Sequence, residues 1–111
     1  MISSLEKLIG TPRDGALLRY SLGLEYAKAG EHARAAQYLR DAVERDPQYS
    51  AAWKALGRSL HESGEHAAAI EAYARGIEAA RAKGDRQAEK EMTVFKRRLE
   101  KAAPAPGKDR R

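Results

Sequence analysis

Apolar residues in the chain recur at three- and four-residue steps, the spacing that lines one side of a 3.6-residue helix. The run Trp53, Leu56, Leu60, followed by Ala69, Ile70, Tyr73 and Ile77, shows it most clearly. Strict alternation is absent, so strands are not expected. Gly30 and Gly64 follow helical runs and suit the left-handed backbone that ends a helix, because they carry no Cβ to clash. Asp46-Pro47 stops the first helical pair, since proline has no N–H to donate and pushes the preceding residue out of the α region. Ser50 is then placed to cap the next helix. At the N-terminus Ile2, Leu5, Leu8 and Ile9 form a short apolar stripe, with Ser3 and Glu6 spaced as a capping box, before Gly10-Thr11-Pro12 breaks it. At the other end Asp85 is expected to cap a helix over 86–102. That helix carries Ala88, Met92, Phe95 and Leu99 on one face.

The pattern is also periodic on a longer scale. Gly-Glu-His-Ala occurs at Gly30 to Ala33 and again at Gly64 to Ala67, and Leu22-Gly23 recurs as Leu56-Gly57. Ala35 pairs with Ala69 and Glu44 with Glu78, all at one 34-residue offset. Residues 16–49 and 50–83 are therefore two copies of one unit, each read as two helices joined by a tight turn. Gly23 and Gly57 let the two helices of a pair approach closely, and Ala35 and Ala69 offer small surfaces to that contact.

These units resemble the tetratricopeptide repeat. Its pattern is met in the second unit by Trp53, Leu56, Gly57, Gly64, Ala69 and Tyr73, with Leu60 in the Tyr place, Gly76 in the last Ala place and Arg81 replacing Pro. In the first unit it is met by Leu22, Gly23, Tyr26, Gly30, Ala35, Ala42 and Pro47, with Leu39 in the aromatic place and Arg19 in the Trp place. Without proline at 81, the last helix of the second unit is expected to run on to Gly84-Asp85. The resemblance implies an all-α fold: a short solenoid of two helix-turn-helix units, flanked by a short N-terminal helix and a C-terminal capping helix. Two units fall below the number that buries a continuous core, so both flanks should act as caps. Residues 1–102 then form one domain, and 103–111 read as a disordered basic tail.

The resemblance also implies a concave face built from the first helix of each unit. Its groove-facing places are Leu17, Tyr20, Leu24, Ala27 and Lys28 in the first unit and Ala51, Lys54, Arg58, His61 and Glu62 in the second. The six offered as a partner site are Tyr20, Leu24, Lys28, Lys54, Arg58 and His61. They suit a peptide with an anchor side chain near Tyr20 and Leu24 and an acidic group near Lys54 and Arg58. Family members that grip chaperone C-terminal carboxylates use a Lys and Asn clamp. This chain has no Asn, and Tyr20 and Leu24 stand at two clamp places, which disfavours that ligand.

Composition narrows the function classes. The 111 residues allow one domain and one core. With no cysteine there is no disulfide framework, thiolate metal site or thiol nucleophile. No apolar run reaches a membrane span and the first residues form no signal segment, so a cytoplasmic location is expected. The net charge of +5 is C-terminal in origin: residues 1–80 carry 10 basic against 11 acidic residues, and residues 81–111 carry 11 against 5. That basic segment could follow phosphates, but it has one aromatic, Phe95, and no base-stacking set, so nucleic acid is the weaker reading.

Candidate chemistry is thin. Ser4-x-x-Lys7 matches a short catalytic pattern without its companion motifs. His32 and His66 occupy equivalent places after the turn glycines, and a metal role would require further ligands to converge on them. His61 stands near a helix C-terminus, where it complements the dipole. No cofactor, metal or catalytic constellation is read, and no enzyme activity is expected. The expectation is a protein-binding module; the alternative is a homo-oligomeric structural scaffold that self-associates through Ile2, Leu5, Met92 or Phe95, with nucleic-acid binding through the basic C-terminal segment the weaker one.

Overall fold

The computed structural model describes residues 1–102, which form six helices with no strand among them: α1 (Ile2–Glu6), α2 (Ala16–Lys28), α3 (His32–Arg45), α4 (Ser50–Glu62), α5 (His66–Lys83) and α6 (Arg86–Ala102). The expected tail at 103–111 lies outside the described residues. The helices follow the 34-residue register, α2 with α3 and α4 with α5.

Three turns share one solution. Gly30, Gly64 and Gly84 adopt φ of +81°, +82° and +75°. In each, the N–H after the glycine reaches back to the preceding helix, Glu31 to the Tyr26 carbonyl, Glu65 to Leu60 and Asp85 to Ala80, at 2.8–2.9 Å. This satisfies helix-end carbonyls that would otherwise lack partners. The third turn explains the length of α5. With Arg81 in place of proline the helix continues for 18 residues against 14 in α3, until Gly84 ends it.

Two predicted caps are not made. Ser50 lies inside α4, buried, and its Oγ is directed to Asp85 Oδ2 at 3.5 Å across to the start of α6. Ser3 makes no capping bond, and Glu6 leaves its own helix to accept hydrogen bonds from the Tyr26 and Tyr38 hydroxyls at 2.6 and 3.1 Å. Asp85 does cap α6, accepting from the Ala88 N–H at 3.1 Å.

The core runs through both units. Leu22, Leu39, Leu60, Met92 and Ala80 are fully buried or nearly so, and Ile2, Leu5, Leu8 and Ile9 of the N-terminal segment pack against the same cluster. The glycine contacts are as tight as expected: a Cβ on Gly23 would lie 2.5 Å from the Leu39 side chain, and one on Gly57 2.5 Å from the Tyr73 ring. Arg19 replaces the tryptophan of the repeat pattern with a polar link. Its guanidinium joins Asp14 (2.8 Å) and Asp41 of α3 (2.9 Å), which fastens α2 to α3 and holds the Asp14 carboxyl well below the usual carboxylate range.

Candidate functional site

All six expected site residues line a single groove of about 750 Å³ between α2, α4 and α6. Tyr20, Leu24, Ala27 and Lys28 come from α2, and Ala51, Lys54, Arg58, His61 and Glu62 from α4. Leu17 is the exception: it is 69% exposed and stands apart from the groove lining. The helical period explains the set, since residues 20, 24, 27 and 28, and 51, 54, 58, 61 and 62, each fall on one face of their helix.

A third wall was not anticipated. The sequence casts α6 only as a capping helix, yet its Glu91, Phe95, Arg98 and Leu99 border the groove as well. The spacing Glu91, Phe95, Arg98 is itself helical, and Phe95 rests against Tyr73 with ring centres 5.7 Å apart. Tyr73, from the second helix of its unit, closes the floor. It is 4% exposed and makes no hydrogen bond within the described residues, and burial pushes its phenol up to about 12. Tyr73 lines the groove with its phenol protonated at neutral pH, as an ordinary phenol also is.

The charged residues differ in how far they are committed. Lys54 donates to Glu91 Oε1 at 2.7 Å, and this bond, with a second from Gln87, holds the Glu91 carboxyl below its ordinary value. Lys28 pairs with Glu25 at 3.3 Å on an exposed surface. Arg58 is exposed and makes no ion pair among the described residues. Of the two cations expected to meet a partner's acid, Arg58 is accessible and Lys54 is engaged within the chain.

The apolar anchors are also partly engaged. Tyr20 stacks at a tilt against Tyr49 of the inter-unit turn, ring centres 4.9 Å apart, which fixes its orientation at the groove edge. His61 meets His66 across the turn, Nδ1 to Nδ1 at 3.3 Å. Among the described residues no group of three or more His, Cys, Asp or Glu is placed to hold a metal ion. No described helix is long and apolar enough to cross a membrane.

A stack of paired helices whose first members line a concave groove defines a helical-repeat scaffold. The match to a family model places it further. Residues 20–85 match the model described as Tetratricopeptide repeat, and the chain belongs to that family. It is similar to the TPR repeat-containing protein PA0015 of Pseudomonas aeruginosa, with 49% identity over 92% of this chain and 97% of that one. It is also similar, at 35% identity over 69% of its length, to 23% of the heat-shock protein cognate co-chaperone sgt12 of Aspergillus fumigatus. The solution structure of protein BPP2914 from Bordetella parapertussis superposes with a TM-score of 0.78 at 40% identity, covering 92% of this chain and 89% of that one.

Proposed function

We propose that the chain is a non-catalytic protein-binding module that takes a segment of a partner protein in the groove between α2, α4 and α6. The observation that carries this is the convergence of Tyr20, Leu24, Arg58, Phe95 and Leu99 on one groove of about 750 Å³. That volume is in the range of sites that hold a specific ligand, and it admits a few side chains rather than a long peptide. Apolar walls from α2 and α6 supply anchor contacts, and Arg58 offers a guanidinium for an acidic group on the partner. The likeness to part of a co-chaperone supports a protein as the partner class. It does not extend to the Lys and Asn clamp, because the chain has no Asn.

For self-association, Met92 is fully buried, while Ile2, Leu5 and Phe95 are partly buried against the core. The basic segment carries a single aromatic, Phe95, which packs beside Tyr73 at the groove, so it has no base-stacking set.

The test is affinity capture from nuclease-treated lysate of the source organism with the wild-type chain, Arg58→Glu and Leu24→Glu, each checked for unchanged helicity. A protein held by the wild type and lost from both variants supports the groove. Equal recovery on all three contradicts it.

A further inference from the structure

The turn that closes the second unit brings together two imidazoles that are five residues apart in sequence. His61 lies in the last turn of α4, Gly64 reverses the chain in the left-handed region, and His66 opens α5. Their Nδ1 atoms face one another at 3.3 Å, with ring centres 5.1 Å apart and planes inclined by 55°. As a hydrogen bond this separation is long, beyond the usual range of about 2.7–3.2 Å for N–H donors. It is, however, the separation of two nitrogens on one tetrahedral ion. Ligands bound at about 2.0–2.1 Å and the tetrahedral angle lie roughly 3.3–3.4 Å from each other.

We propose that His61 and His66 form a two-imidazole site for a borderline divalent metal ion of the Zn²⁺ class, each ligating through Nδ1. Nitrogen donors select Zn²⁺, Cu²⁺ or Ni²⁺ over Mg²⁺ and Ca²⁺, which require oxygen. The local field is balanced: the carbonyl end of α4 favours a cation and the N–H end of α5 opposes it. Glu62 and Glu65, both exposed, lie between the two histidines in sequence and add negative charge. Two protein ligands leave two positions of the tetrahedron open to water or to a donor from a bound segment, since His61 also borders the groove. The first unit supplies an internal control. It repeats Gly30-Glu31-His32, but Ala27 stands where His61 does, and the His32 Nδ1 has no partner. The pair therefore exists once.

Zinc chloride titrated into the full chain by calorimetry tests this, with magnesium chloride as the control ion and His61→Ala, His66→Ala and His32→Ala as variants of checked helicity. The wild type and His32→Ala are expected to bind one equivalent of Zn²⁺. His61→Ala and His66→Ala should each lose at least about tenfold in affinity, and Zn²⁺ should shift the Nδ1 resonances of both histidines in the wild type. Absence of Zn²⁺ binding to the wild type, equal binding to the His61 and His66 variants, or equal binding of Mg²⁺ would overturn the proposal. None of these readouts depends on a protein partner, so failure here is separable from failure of the groove reading.

Discussion

Gly76 shows how a single position records its neighbours. Its counterpart in the first unit is Ala42, fully buried, and the repeat pattern favours Ala there. In the second unit the facing residue is Trp53 where the first has Arg19, and α6 adds Met92 from the other side. A Cβ on Gly76 would fall 2.7 Å from the Trp53 Cβ and collide with the Met92 sulfur. Gly76→Ala should therefore cost about 1–3 kcal/mol by overpacking, despite the better helix propensity of alanine, as read from urea denaturation. A stabilised variant would show that the α4, α5, α6 contact is looser than described. Tyr73 yields a second prediction. Its phenol titrates near 10 in the unfolded chain and at about 12 in the fold. The fold thus favours the protonated form, so its contribution is intact below pH 10 and is lost as pH rises from about 10 to 12. At about 1.36 kcal/mol per unit, this group accounts for about 2–3 kcal/mol of alkaline destabilisation. Tyr73→Phe should lose correspondingly less stability than wild type between pH 9 and 12; parallel curves would contradict the assignment.

At the scale of elements, the caps are held by polar contacts that local pattern does not reveal. The five-residue α1 is too short to persist alone and is fixed by apolar packing and by Glu6, which reaches Tyr26 and Tyr38 some 20 and 32 residues away. These two rings stack at 5.5 Å with Arg34 over Tyr26. The Tyr26 hydrogen bond, followed by that of Tyr38, lowers the Glu6 pKa. A carboxyl lowered in the fold contributes stability above its unfolded value near 4.5, and loses it as pH falls through the lower folded value. Glu6→Gln should loosen α1 at neutral pH, and the wild type should approach the same state only in acid, as followed by hydrogen exchange of the α1 amides. Exchange that is identical in the two proteins at pH 7 would remove Glu6 as the anchor. The serines teach the same lesson from the other side. Ser3 and Ser50 have the right identity and spacing for capping, but a cap also requires a non-helical backbone, and Ser50 is already inside its helix, turned toward Asp85.

For the whole molecule, helix number, order and turns were legible because the 3.6-residue and 34-residue periods and the turn glycines are local or repeating signals. The α2 and α4 walls of the groove followed from the family's register. The α6 wall did not, because the period shows which face of α6 is buried without showing that its edge also meets α4. The Lys54 to Glu91 pair spans 37 residues and nothing in either segment announces it. Of the two cations expected to meet an acidic group, Lys54 and Arg58, this pairing leaves Arg58 as the accessible one. It also makes Lys54→Glu a poor probe, since it would set two carboxylates against each other at the α4, α6 contact. Amide chemical-shift mapping of the ¹⁵N-labelled chain with the captured partner shows whether the concave groove is the binding surface. Perturbations are expected to centre on Tyr20, Leu24, Arg58, Phe95 and Leu99, which line the groove. Perturbations confined to the outer faces of α3 and α5, or to the exposed basic side of α6, would contradict it.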